Sequence, residues 1–187
     1  SNVGVIVSIA PVFTAITARI SLKEEGKLRP AFFMGCVIAL IGISLISFSG
    51  TTMHLNPIGD LLSVGGAIIW SFYSVLSKKI GSFGYSVVQA TRRTFFYGIL
   101  FMIPALFIFD FKWNLTRFAT SAYLFNIFYL GLGASAICFV TWNMAVRILG
   151  AIKTSVYIYL APVVTAVTSV IILHEKITFL SGLGILL

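Results

Sequence analysis

Seven residues interrupt apolar stretches of this chain in ways that could serve recognition: Pro11, Trp70, Tyr73, Arg93, Asn143, Tyr157 and Pro162. Arg93, beside Arg92, lies seven residues into the apolar run that begins at Ser86, about 10 Å along a helix. A fully immersed arginine costs at least ~2.5 kcal/mol on insertion scales. Its side chain therefore either snorkels back to the interface or faces an interior, where it would favour anionic, carboxylate-bearing substrates. Each proline removes a backbone donor and displaces the carbonyl four residues earlier, so Pro11 frees that of Val7 and Pro162 that of Ile158. Near mid-membrane such carbonyls line a polar cavity or a cation site. The alternative is a plain kink, with Thr14, Thr17, Thr165 and Thr168 bonding the backbone or a neighbouring helix.

Trp70 falls about ten residues into its run, deeper than an interfacial aromatic belt requires. With Tyr73, Ser74 and Ser77 it forms a side expected to line a cavity. A small-residue stripe, Gly59, Ser63, Ala67 and Ser71, lies beside it and suits close helix approach. Asn143, next to Trp142, sits near one end of its run, where water also satisfies it. Tyr157 and Tyr159 point to different faces of a helix, so at most one of them lines a cavity.

Other chemistry finds little support. No acidic residue lies at mid-depth: Glu24, Glu25, Asp60, Asp110 and Glu175 all fall in loops or at helix ends, so a buried carboxylate relay is not expected here. There is no GxxxxGK loop for ATP. His54 and His174 stand alone, and His174-Glu175-Lys176 is not HExxH, so no catalytic residue, metal or cofactor is expected. Cys36 and Cys138 lie inside apolar runs and read as packing residues rather than a disulfide. The tripeptide Asn114-Leu115-Thr116 is a formal glycosylation sequon, relevant only in a eukaryotic source.

The elements that must hold these residues are membrane helices. The chain is 59% hydrophobic and 10% charged, with a mean hydropathy of +1.05, whereas soluble domains carry about a quarter of their residues charged. Apolar runs cover residues 3–22, 31–49, 60–77, 86–109, 123–145 and 154–173, each near the ~20 needed to cross the hydrocarbon. A seventh run, 177–187, is too short to span. The chain reads as a fragment truncated at both ends, and residues 1–22 read as an internal span rather than a signal peptide, since no basic leader precedes them.

With loops assigned alternately to two sides, ten of the thirteen Lys and Arg residues fall on one side: Arg19, Lys23, Lys27, Arg29, Lys78, Lys79, Arg92, Arg93, Arg147 and Lys153. Lys112, Arg117 and Lys176 fall on the other, so the first side is expected to be cytoplasmic. The net charge of +8 is thereby read as an orientation signal and not as affinity for nucleic acid.

A repeat completes the pattern. APVFTAITARISLKE at residues 10–24 returns as APVVTAVTSVIILHE at 161–175, nine of fifteen positions identical at an offset of 151. Five spans lie from one copy to the other, so the copies cross in opposite directions. An inverted repeat of broken helices is a building plan of secondary transporters.

These proline-bearing helices ending in Glu24 and Glu175, the following GCVIALIG at 35–42, and GDLLSVGGAIIWSFYSVLSKK at 59–79 resemble the EamA-type branch of the drug/metabolite transporter superfamily. The likeness covers nearly the whole chain, with Glu25 and Gly26 inserted relative to the first-repeat pattern. It implies a ten-helix protein of two five-helix repeats, of which this chain holds helices four to nine and the start of helix ten. It also implies an arginine in the early part of the helix that carries Arg93.

The expectation is therefore an all-α polytopic membrane helix bundle of inverted five-helix repeats, six complete spans and a truncated seventh. Residues 1–50 form the end of the first repeat, 51–58 an external linker, and 59–187 the second repeat. The expected function is secondary transport of a small organic metabolite across the plasma membrane, a bacterial inner membrane, by alternating access, with Trp70, Tyr73, Arg93, Asn143 and Tyr157 as substrate contacts. The rival is a non-transporting membrane scaffold or sensor subunit, which would leave those polar groups scattered. The expected partners are the metabolite, the lipid bilayer and, in a homodimer, a second copy; nucleic acid is not one.

Overall fold

A computed structural model of the chain describes residues 2–22, 30–48, 56–111, 118, 120–174 and 179–186. The sequence features at Lys23, Glu24, Glu25, Gly26, Lys27, Arg29, His54, Lys112, Asn114, Arg117, Glu175 and Lys176 lie outside the described residues.

Every element among the described residues is helical: α1 (Asn2–Val7), α2 (Ala10–Ser21), α3 (Pro30–Phe48), α4 (Pro57–Gly81), α5 (Val87–Ile108), α6 (Ser121–Phe128), α7 (Cys138–Leu149), α8 (Ala151–Val156), α9 (Leu160–Leu173) and α10 (Phe179–Leu186). A π-helical segment, Tyr129–Ile137, joins α6 to α7, and a 3-10 turn, Tyr157–Tyr159, joins α8 to α9. Grouped into continuous stretches, they give six helices long and apolar enough to cross a membrane: Gly4–Ser21, Pro30–Ser47, Pro57–Gly81, Val87–Ile108, Ser121–Leu149 and Ala151–Ile172. The protein is an all-α, multi-pass integral membrane helix bundle. The expected seventh run appears as the eight-residue α10.

Helix ends follow local chemistry. Asp60 lies in the first turn of α4 and Lys78 and Lys79 in its last, each complementing the helix dipole. Ser86 caps α5 and forms a capping box with Gln89, which satisfies two otherwise orphaned N–H groups where the chain turns back. Gly84 (φ +83°) and Gly150 (φ +93°) occupy the left-handed turns that precede α5 and α8, a backbone that an L side chain strains to adopt.

The described residues pack as two compact units, Ser1–Leu76 with Leu149–Leu187, and Ser77–Ile148. In the first, α10 and α1 pack on α3 and α2 packs on α8. The centre consists of small side chains: Ala10, Ala15, Ala18, Ser71, Ser74, Ala151 and Ser155 are fully buried. In the second unit α5 leaves Phe101 and Phe107 more than four-fifths exposed, a surface suited to lipid or to further apolar helices.

Candidate functional site

Both repeat prolines sit where the helices break. α1 stops at Val7, Ser8 and Ile9 form a turn, and α2 restarts with Pro11 in its first turn, where a missing N–H costs nothing. In the second copy the 3-10 turn Tyr157–Tyr159 takes up the break, and Pro162 lies in the opening turn of α9. Three of the four threonines bond carbonyls of their own helices. Thr14 donates to the Ala10 carbonyl at 2.9 Å, Thr165 to Ala161 at 2.8 Å and Thr168 to Val164 at 2.8 Å. Thr17 instead pairs with Ser71 of α4, oxygen to oxygen 3.1 Å.

Trp70 and Tyr73 form one aromatic pair on α4, ring centroids 5.5 Å apart and planes tilted by 37°. Both are half-buried. Of the small-residue stripe, Ala67 and Ser71 are buried, while Gly59 and Ser63 nearer the other end are half-buried. Tyr157 is 59% exposed and has no side-chain hydrogen bond or ring contact among the described residues. Tyr159, two residues on, is the one that turns inward, its hydroxyl buried beside the Cys36 thiol of α3. Helical spacing allows only one of the two tyrosines to face inward, and the expectation named Tyr157; the structure leaves Tyr157 exposed and turns Tyr159 inward instead. Tyr159 closes the 3-10 turn, half-buried and beside Cys36 of α3.

Asn143 and Arg93 belong to the second unit. Asn143 donates through Nδ2 to Thr91 Oγ1 at 2.9 Å, and Thr91, itself buried, donates to the Val87 carbonyl at 2.9 Å. Thr91 was missed in the sequence because one threonine in an apolar run carries no pattern. Arg93 is exposed and lies over the Tyr85 ring, its guanidinium carbon 5.3 Å from the centroid. Tyr85 just precedes the N-cap of α5, so the long side chain reaches back towards the basic helix ends, as snorkelling demands.

Arg147 and Lys78 tie those ends together. Lys78 Nζ donates to the Arg147 carbonyl at 2.9 Å, and an Arg147 guanidinium N–H donates to the Tyr85 carbonyl at 3.2 Å. Between them lies a crevice lined by Ser77, Tyr85, Thr94, Asn143 and Arg147, with about 20 Å³ open to the centre of a water molecule. That volume admits one or two waters or a single small polar group. Its walls carry the Arg147 guanidinium and hold no carboxylate, so a negatively charged group suits them better than a positively charged one.

Comparison with known proteins gives the setting for this geometry. Residues 57–187 match the EamA-like transporter family. The chain is 26% identical to an uncharacterized transporter of Archaeoglobus fulgidus over 98% of its own length and 62% of the relative's. It is 26% identical to a protein of Streptantibioticus cattleyicolor named a probable terminal-alkyne amino-acid exporter, over 92% of this chain and 56% of that one. It is also 26% identical to the uncharacterized inner membrane transporter YedA of Escherichia coli K12, over 86% and 50%. The chain thus spans about half to three-fifths of the length of these relatives. No solved structure matches it. With the family model covering most of its length, the chain belongs to the EamA-like transporter family.

Proposed function

As a member of this family, we propose that the chain is the greater part of a secondary transporter that moves a small, carboxylate-bearing organic metabolite across the plasma membrane. Movement proceeds by alternating access between two five-helix repeats of opposite orientation. The observation that carries this reading is the paired break. The same Ala-Pro-Val string restarts a helix at Pro11 and again at Pro162, in the first and sixth of the six spans. Paired discontinuous helices in related halves of a chain are how secondary transporters place their sites near the midplane.

The substrate class follows from the donors. Arg93, Arg147 and Asn143 gather at the basic helix ends, and the described acidic residues Asp60 and Asp110 lie at the opposite ends of α4 and α5. A carboxylate entering from that side meets positive charge and N–H groups first. Trp70 and Tyr73 offer an aromatic surface for an apolar side chain. An amino acid carries the carboxylate that the donors of the second unit suit, in keeping with the name of the Streptantibioticus relative.

The test is counterflow. The full-length protein, in vesicles preloaded with one unlabelled amino acid at a time, should concentrate the labelled form of at least one of them. Absence of exchange for every amino acid and for simple carboxylic acids would remove the substrate assignment.

A further inference from the structure

Five cations gather at one end of the second unit. Lys78 and Lys79 lie in the last turn of α4, Arg147 in the last turn of α7, and Arg92 and Arg93 within the first two turns of α5. The described acidic residue of that unit is Asp110, just past the far end of α5. The 22 residues of α5 put it about 33 Å away, roughly four Debye lengths at physiological salt. It does not neutralise them.

Arg147 is held in place among these cations. A guanidinium carries five N–H donors, and here one of them is given to the Tyr85 carbonyl at 3.2 Å. The Arg147 carbonyl accepts from Lys78 Nζ at 2.9 Å. Its stem runs along the end of α4, with Cγ 3.6 Å from the position that a Gly81 Cβ would take. The crevice beside it is lined by Ser77, Tyr85, Val87, Thr94, Asn143 and Arg147, all from this one unit.

Volume and depth together narrow what the crevice takes. About 20 Å³ admits one small polar group and excludes a whole metabolite. The occupant is therefore a small anion, or one charged group of a molecule whose remainder lies outside. α4, α5 and α7 each belong to a membrane span, and the crevice lies where all three end, at the level of the lipid headgroups. The standing anions at that level are lipid phosphates, and basic pockets between membrane helices bind such headgroups.

We propose that the crevice is a phosphate site anchored by Arg147, filled by the headgroup of an anionic lipid or by a free phosphate ion. The guanidinium fork matches phosphate with two parallel N–H bonds. Lys78 fixes the backbone from which that fork projects, and the neighbouring cations draw the anion in. Arg93 lies on the Tyr85 ring and is not among the walls. The site is thus separate from the carboxylate contact assigned to Arg93 and does not depend on which metabolite is carried.

The test follows the melting temperature of the full-length protein in detergent as phosphatidylglycerol, phosphatidylcholine or inorganic phosphate is added, since a ligand of the folded state raises it by mass action. Phosphatidylglycerol should raise it at concentrations where phosphatidylcholine does not. Arg147→Gln should increase the half-saturating concentration by about tenfold or more, the worth of a hydrogen bond to a charged group. Arg147→Lys should weaken binding several-fold, because it keeps the charge without the fork. Lys79→Gln, outside the crevice, is the control and should weaken it by about fivefold or less. Stabilisation by phosphatidylglycerol alone supports the site with a lipid occupant; equal stabilisation by inorganic phosphate supports it with a soluble one. No stabilisation by either would overturn the proposal. So would Arg147→Lys binding as tightly as the parent, or Lys79→Gln losing as much as Arg147→Gln, because the attraction would then be diffuse surface charge. Arg147→Lys decides the matter where Arg147→Gln does not accumulate.

Discussion

Arg93 and Asn143 show what a polar residue means inside a membrane helix. The sequence marks both, because a charge or an amide in an apolar run is expensive and so noticeable. Which way each turns depends on partners scattered along the chain. Arg93 reaches back to Tyr85, whereas Asn143 spends an amide hydrogen on Thr91 of the neighbouring helix. Thr91→Val should lower thermal stability by about 0.5–1.5 kcal/mol, the range of interhelical hydrogen bonds in membranes. Asn143→Ala added to it should cost less than Asn143→Ala alone, a coupling that a thermal-denaturation double-mutant cycle would reveal. If Arg93 meets the substrate carboxylate in its transport path, Arg93→Gln should raise KM several-fold with a smaller change in kcat, because one charge-assisted hydrogen bond is lost. Unchanged kinetics in reconstituted vesicles would confine Arg93 to its contact with Tyr85. The tyrosines were harder to place: helical spacing offered two, the expectation named Tyr157, and Tyr159 is the one that the structure half-buries.

Among the elements, the six spans were legible to within a few residues, since length and hydropathy alone set where a helix crosses. The interruptions before Pro11 and Pro162 were legible too, from the missing N–H. The π-helical segment Tyr129–Ile137 was not. Its sequence, YLGLGASAI, is apolar throughout, so no break in periodicity announces the wider turn; π segments recur at functional positions in helices. The packing of α10 on α3 was likewise hidden, because it depends on one close approach between distant residues. A Cβ on Gly184 would collide with the Gly42 carbonyl oxygen and come within 2.9 Å of Ile46 Cγ1. Gly184→Ala should therefore destabilise the protein by about 1–3 kcal/mol, the usual cost of overpacking. Gly131→Ala is the control: its Cβ meets nothing within 4 Å, so its melting temperature should stay within a degree or two of the parent's. Equal losses for both would contradict the close α3–α10 contact.

For the whole molecule, distribution of charge carries more than its total. The net charge of +8 fits many proteins; alternate assignment of the loops along the sequence is what places Arg19, Lys78, Lys79, Arg147 and Lys153 on one expected side of a membrane. On that expectation the duplicated Ala-Pro-Val string becomes two copies of opposite sense. The family relationship agrees with transport, while the orientation of the repeats is what the proposed mechanism depends on. It is tested most directly by single cysteines at Lys27 and at Lys176 of the full-length protein in intact cells, probed with a membrane-impermeant thiol reagent. Lys176→Cys should be labelled from outside and Lys27→Cys only after the membrane is opened; labelling of both from the same side would contradict the inverted repeat and the alternation built on it.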